Sequence, residues 1–140
     1  MESIILHAHS GLRWIFIIMV LYSLIKNHNS YADKKTIDIP LYTLILFALQ
    51  IFIGIILYFI SNNVTFESGF MKNTQYRFFT VEHGFGMILA FIIMFLGYSK
   101  SRKKPISYRN KTIKLYYAIA LIIVIASIPW PFRGFGNSWF

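Results

Sequence analysis

Residues 41–60 read LYTLILFALQIFIGIILYFI, twenty positions without one charge. A helix needs about 20 mostly apolar residues to cross the hydrocarbon core of a bilayer, and this stretch meets that length alone. Residues 79–98 (FTVEHGFGMILAFIIMFLGY) form a second such run, with one carboxylate, Glu82, and one imidazole, His83, both near its start. Residues 113–132 form a third, with a lysine near the beginning and Pro129-Trp130-Pro131 at the close. Residues 4–25 differ from the others. They open on His7-Ala8-His9-Ser10-Gly11-Leu12-Arg13-Trp14 before an unbroken apolar run.

Four spans in one domain, residues 1–140, predict an all-α integral membrane protein, a four-helix up-and-down bundle. The composition agrees. Of 140 residues 56% are apolar and only 14% charged, where a soluble domain carries about 25% charged residues. Disorder is excluded by the same hydrophobicity. With no cysteine, the chain offers no disulfide framework, no zinc–thiolate or Cys-ligated iron–sulfur site and no covalent c-type haem attachment. The first span lacks a basic leader and a small-residue cleavage site, so it is expected to stay as a helix rather than be removed as a signal peptide.

The net charge of +9 is distributed unevenly. The connections between spans one and two and between three and four hold ten basic residues: Lys26, Lys34, Lys35, Lys100, Arg102, Lys103, Lys104, Arg109, Lys111 and Lys114. Only Asp33 and Asp38 oppose them. The other side has Arg13, Lys72, Arg77 and Arg133 against Glu2, Glu67 and Glu82. Short basic loops stay in the cytoplasm. Both termini and the loop 61–78 are therefore expected on the outer side of the membrane. The charge then serves topology and calls for no nucleic acid; the lipid bilayer is the expected partner.

Ionisable groups inside a span are costly and mark functional sites. His9 and His83 both lie about five residues into their spans, roughly 7 Å below the outer surface at 1.5 Å per residue. His7, Arg13, Arg77 and Glu82 lie near the same level. Two imidazoles from two helices at one depth suit the axial positions of a non-covalent haem b, with His9 and His83 as ligands of the haem iron. Arg13 and Arg77 are then candidate partners of the propionates, and Glu82 a supporting group. Glu82 equally suits a structural ion pair with Arg13 or Arg77. Helical phase favours His9 over His7: stepping by three and four from His9 meets Arg13, Phe16, Val20 and Ser23, which carries the polar residues of the helix. The walk from His7 meets Trp14, Ile18 and Leu21. Thr43, Gln50 and Gly54 form a stripe on the second span, and Gly86, Met87, Ala90, Met94 and Gly97 one on the third, with packing the commoner meaning of both. Trp14, Trp130 and Trp139 mark an aromatic belt.

Several of these strings resemble a family of small bacterial four-helix membrane proteins commonly labelled cytochrome b-like. The resemblance rests on residues 7–14, Leu49-Gln50 with Gly54 and Leu57-Tyr58-Phe59, Arg77-Phe78-Phe79-Thr80-Val81-Glu82-His83, and Ile128-Pro129-Trp130-Pro131-Phe132-Arg133. It covers all four spans and implies a haem-binding inner-membrane protein, with His9 and His83 at the family's histidine positions and His7 a further match. One position departs: Ala48 stands where the family often has a histidine before Leu-Gln. Two functions are expected on these grounds. One is a b-type cytochrome-like subunit exchanging electrons with a quinol or a periplasmic carrier. The other is a cofactor-free accessory subunit of a larger membrane complex or a homo-oligomer. Neither is a stand-alone enzyme.

Overall fold

A computed structural model describes residues 2–26 and 37–135. Asp33, Lys34, Lys35 and Trp139 lie outside the described residues. Four helices are long and apolar enough to cross a membrane: α1 (Glu2–Ile25), α2 (Ile39–Ile60), α3 (Thr74–Arg102) and α4 (Ile106–Ser127). No strand is present among the described residues.

Each boundary has a local cause. The Asp38 carboxylate accepts from the Leu41 amide at 3.2 Å and Pro40 follows in the first turn, so α2 starts with its free amides capped. The Asn73 side chain accepts from the Gln75 and Tyr76 amides at 3.0 and 3.1 Å and starts α3 five residues before the apolar run. Hydropathy sees only the part of a helix that sits in lipid. The fourth span is displaced further: the helix covers 106–127, not 113–132. Arg109, Lys111 and Lys114 therefore lie on its first turns, not in a loop. It stops because Ile128 precedes Pro129 and takes an extended conformation (φ −75°, ψ 136°), as a residue before proline must. Pro131–Arg133 then forms a short 3₁₀ turn, with Trp130 Nε1 donating to the Ile125 carbonyl at 2.8 Å.

Cross-helix contacts set the register. Gln50 meets His9 and Thr43 meets Ser23 between α1 and α2. Asp38 meets Tyr98 and Tyr58 meets Thr80 between α2 and α3. Gly97 lies on Tyr116 and Gly86 on Ser127 between α3 and α4. Trp14 against Trp130 closes the ring between α1 and α4. The helices are thus an antiparallel up-and-down bundle.

The buried core holds Phe16, Val20, Phe47, Ala90, Met94, Tyr117 and Val124, with Phe16 and Phe47 rings 4.3 Å apart. The outer helix faces are apolar and open: Phe59 is 81% exposed and Ile25 80%. Lipid tails solvate such faces, so packing and interhelical hydrogen bonds hold the bundle together. At the basic end Asp38 accepts from Tyr98 at 2.7 Å and lies 3.7 Å from Arg102, while the buried Tyr117 hydroxyl reaches the Pro40 carbonyl at 2.7 Å.

Candidate functional site

At the opposite end from the Asp38 cluster the bundle opens into a cavity of about 610 Å³ lined from all four helices. This lies within the range of about 300–1,000 Å³ typical of small-molecule and cofactor sites. Phe16, Phe47 and Val124 form its floor, where the core begins. Its polar lining includes His9, Ser10, Arg13, Gln50 and His83. The remainder is largely apolar.

His9 and His83 face one another across the bundle from the diagonal pair α1 and α3. Their ring centres are 6.3 Å apart and their planes meet at 73°. Each is placed by a neighbour. The His83 Nδ1 lies 2.7 Å from the Ser127 carbonyl oxygen. A carbonyl only accepts, so this nitrogen carries a proton, and in the neutral ring Nε2 then keeps its lone pair. His9 is seated against α2: Gln50 Nε2 donates to the His9 carbonyl at 2.7 Å, and Gly54 leaves room for the imidazole. A Cβ at position 54 would stand 3.2 Å from His9 Cε1. The His9 Nδ1 and Gln50 Oε1 are buried without a hydrogen-bond partner among the described residues. Buried polar atoms are nearly always paired, and both residues also line the cavity.

The other sequence-predicted residues divide cleanly. Arg13 lines the cavity, its guanidinium 5.5 Å from the Trp14 ring and 6.0 Å from the Trp130 ring. His7 is exposed at the cavity mouth, in keeping with a helical phase that puts it outside the polar stripe. Arg77 and Glu82 are not drawn to the cavity. They pair with each other at 2.7 Å on the surface, and Arg77 also donates to the Met71 carbonyl at 3.3 Å. Among the alternatives open for Glu82, the ion pair with Arg77 is the one formed.

Three participants are not marked as site residues by the sequence alone. Gln50 and Gly54 belong to an ambiguous stripe. Ser127 contributes only a backbone carbonyl, which its residue type cannot announce. The two stripe glycines of α3 serve packing, Gly86 against Ser127 and Gly97 against Tyr116.

The residues fit a bis-histidine haem. Two imidazoles sharing one metal ion, at about 2.0–2.1 Å per metal–nitrogen bond, place their ring centres about 6 Å apart. A carbonyl on the far nitrogen of a ligating histidine is the usual means of fixing its tautomer. No cluster of three or more His, Asp or Glu side chains suited to a bare metal ion exists among the described residues. No family model, curated protein or solved structure matches the chain.

Proposed function

We propose that the protein is a membrane b-type cytochrome-like protein that holds one haem b near the periplasmic face and exchanges electrons with a quinol or a periplasmic carrier. One observation carries the reading: His9 and His83, on separate helices, oppose each other at 6.3 Å within a largely apolar cavity of about 610 Å³. His9 and His83 would hold the haem iron. The Ser127 carbonyl holds the His83 proton on Nδ1, Gln50 fixes the backbone at His9, and Gly54 admits the His9 ring. Arg13, whose guanidinium lies against the Trp14 and Trp130 rings, would offer its charge to the carboxylates of the group. The bound haem supplies a one-electron couple. Phe16 and Phe47 keep the site dry on its inner side.

The orientation belongs to the same proposal. The excess of basic residues at the Asp38 end supports a cytoplasmic position for that end, with the histidines toward the outer face of a bacterial inner membrane.

The test is a spectrum. Protein purified from haem-replete cells is expected to show a Soret band and a reduced α-band with low-spin bis-histidine character. Absence of both refutes the proposal and leaves the accessory subunit, in a larger complex or a homo-oligomer, as the standing reading.

A further inference from the structure

The stretch leading into His83 is not an ordinary helix. Residues Phe78–Glu82 form a π turn, and the His83 amide bonds to the Phe78 carbonyl five residues back. Such turns are uncommon and recur at functional sites. Nothing in Phe-Phe-Thr-Val-Glu asks for one, since it contains no glycine or proline to loosen the backbone.

The cause lies in the neighbouring elements. The Tyr58 hydroxyl of α2 donates to the Thr80 carbonyl at 3.0 Å, inside the π turn. The Thr80 hydroxyl oxygen accepts from the Thr65 amide at 3.2 Å and donates to the Thr65 carbonyl at 3.3 Å. Thr80 is thus clamped through its backbone from α2 and through its side chain from the loop after α2. It is buried, 6% exposed.

A π turn inserts one residue into the helical count. With 3.6 residues per turn, that residue rotates the downstream helix by about 100° relative to the upstream segment. Phe78 and Thr80, in the first part of the turn, are both buried. His83, just after it, points at His9 and Ser127. A continuous α-helix cannot satisfy both sides of the turn.

We propose that Tyr58, by holding the Thr80 carbonyl in the π turn, sets the rotation of His83 about α3 and so acts as a positioning residue for the His9–His83 pair. This deepens the haem reading, but its structural core, the placement of the imidazole, can be read without haem.

The experiment compares wild type with Tyr58→Phe, and with Thr80→Val as a second break of the same clamp. Tyr98→Phe serves as the control, because it deletes an interhelical tyrosine hydrogen bond at the other end of the bundle. In haem-free protein in detergent, imidazole ¹⁵N NMR is expected to show His83 as a single Nδ1–H tautomer. Tyr58→Phe and Thr80→Val should convert it to a mixture, and Tyr98→Phe should leave it alone. In haem-loaded protein the two clamp variants should gain a high-spin fraction and lose roughly tenfold in haem affinity, the lower end of the effect of removing a ligand-orienting partner. An unchanged His83 signal in folded Tyr58→Phe overturns the proposal. So does an equal change in Tyr98→Phe, which would mark a general loosening. Should wild type bind no haem while Tyr58→Phe still disturbs His83, the clamp stands and the cytochrome reading falls.

Discussion

Gly54 and His9 are in steric contact across the α1–α2 interface: a methyl group on Gly54 would lie 3.2 Å from the imidazole Cε1. A glycine in a helix interior costs about 0.5–1 kcal/mol relative to alanine. Gly54→Ala should therefore raise, or at least preserve, the thermal stability of the haem-free protein. It should also push the His9 ring off its position. An off-rotamer displacement costs about 0.5–1.5 kcal/mol, up to about tenfold in affinity. In one variant the melting temperature would thus hold or rise while haem affinity falls. A parallel loss of both would show that Gly54 serves packing alone.

The two histidines of the His-Ala-His string should behave differently. His9 is turned inward against α2, whereas His7 is exposed. His9→Ala and His83→Ala should each abolish the low-spin spectrum, and His7→Ala should leave band positions intact. A spectrum lost in His7→Ala and kept in His9→Ala would reverse the assignment.

The Arg77–Glu82 pair should count for little. Its side chains are 38% and 47% exposed, and surface ion pairs contribute about 0–1 kcal/mol. Arg77→Gln and Glu82→Gln should each lower the unfolding free energy by less than about 1 kcal/mol, measured by denaturation in detergent, and leave haem content unchanged. A collapse of haem binding in Arg77→Gln would return that arginine to the site.

Orientation is checked by reporter fusions at Lys103, in the turn between α3 and α4, and at Ser68, in the loop between α2 and α3. The first should report cytoplasm and the second periplasm. The reverse result would place the histidines at the cytoplasmic face and exclude a periplasmic carrier as redox partner.

How much of the molecule is legible in its sequence depends on which force fixes each feature. The spans are written in hydropathy, and the chain shows them directly. Their ends are not, because Asn73 and Pro129 set them by capping and by the constraint on Ile128. The facing of His9 rather than His7 follows from a 3.6-residue period. The level of His83 is legible as well. Its rotation is not: that depends on a π turn held by Tyr58 from another helix, and no local propensity encodes it. Arg77 and Glu82 share the depth of the histidines, but depth alone says nothing of direction around the helix, and the two charges pair with each other instead of reaching the cavity.

The two glycines that seat α3 on α4 offer a test of whether the site is coupled to packing. A Cβ on Gly97 would collide with the Tyr116 side chain, and one on Gly86 with the Ser127 side chain. Overpacking of this kind costs about 1–3 kcal/mol, so Gly97→Ala and Gly86→Ala should both lower the melting temperature. Their spectra should differ. Tyr116 lies near the basic end, where its hydroxyl accepts from Lys100 at 2.8 Å, far from either imidazole. Ser127 carries the carbonyl that fixes His83 Nδ1. Displacing Ser127 moves that acceptor and frees the ring to turn, so Gly86→Ala should gain high-spin character while Gly97→Ala, destabilised to a similar degree, keeps the wild-type spectrum. Equal spectra in the two variants would mean that the Ser127 carbonyl does not orient the ligand.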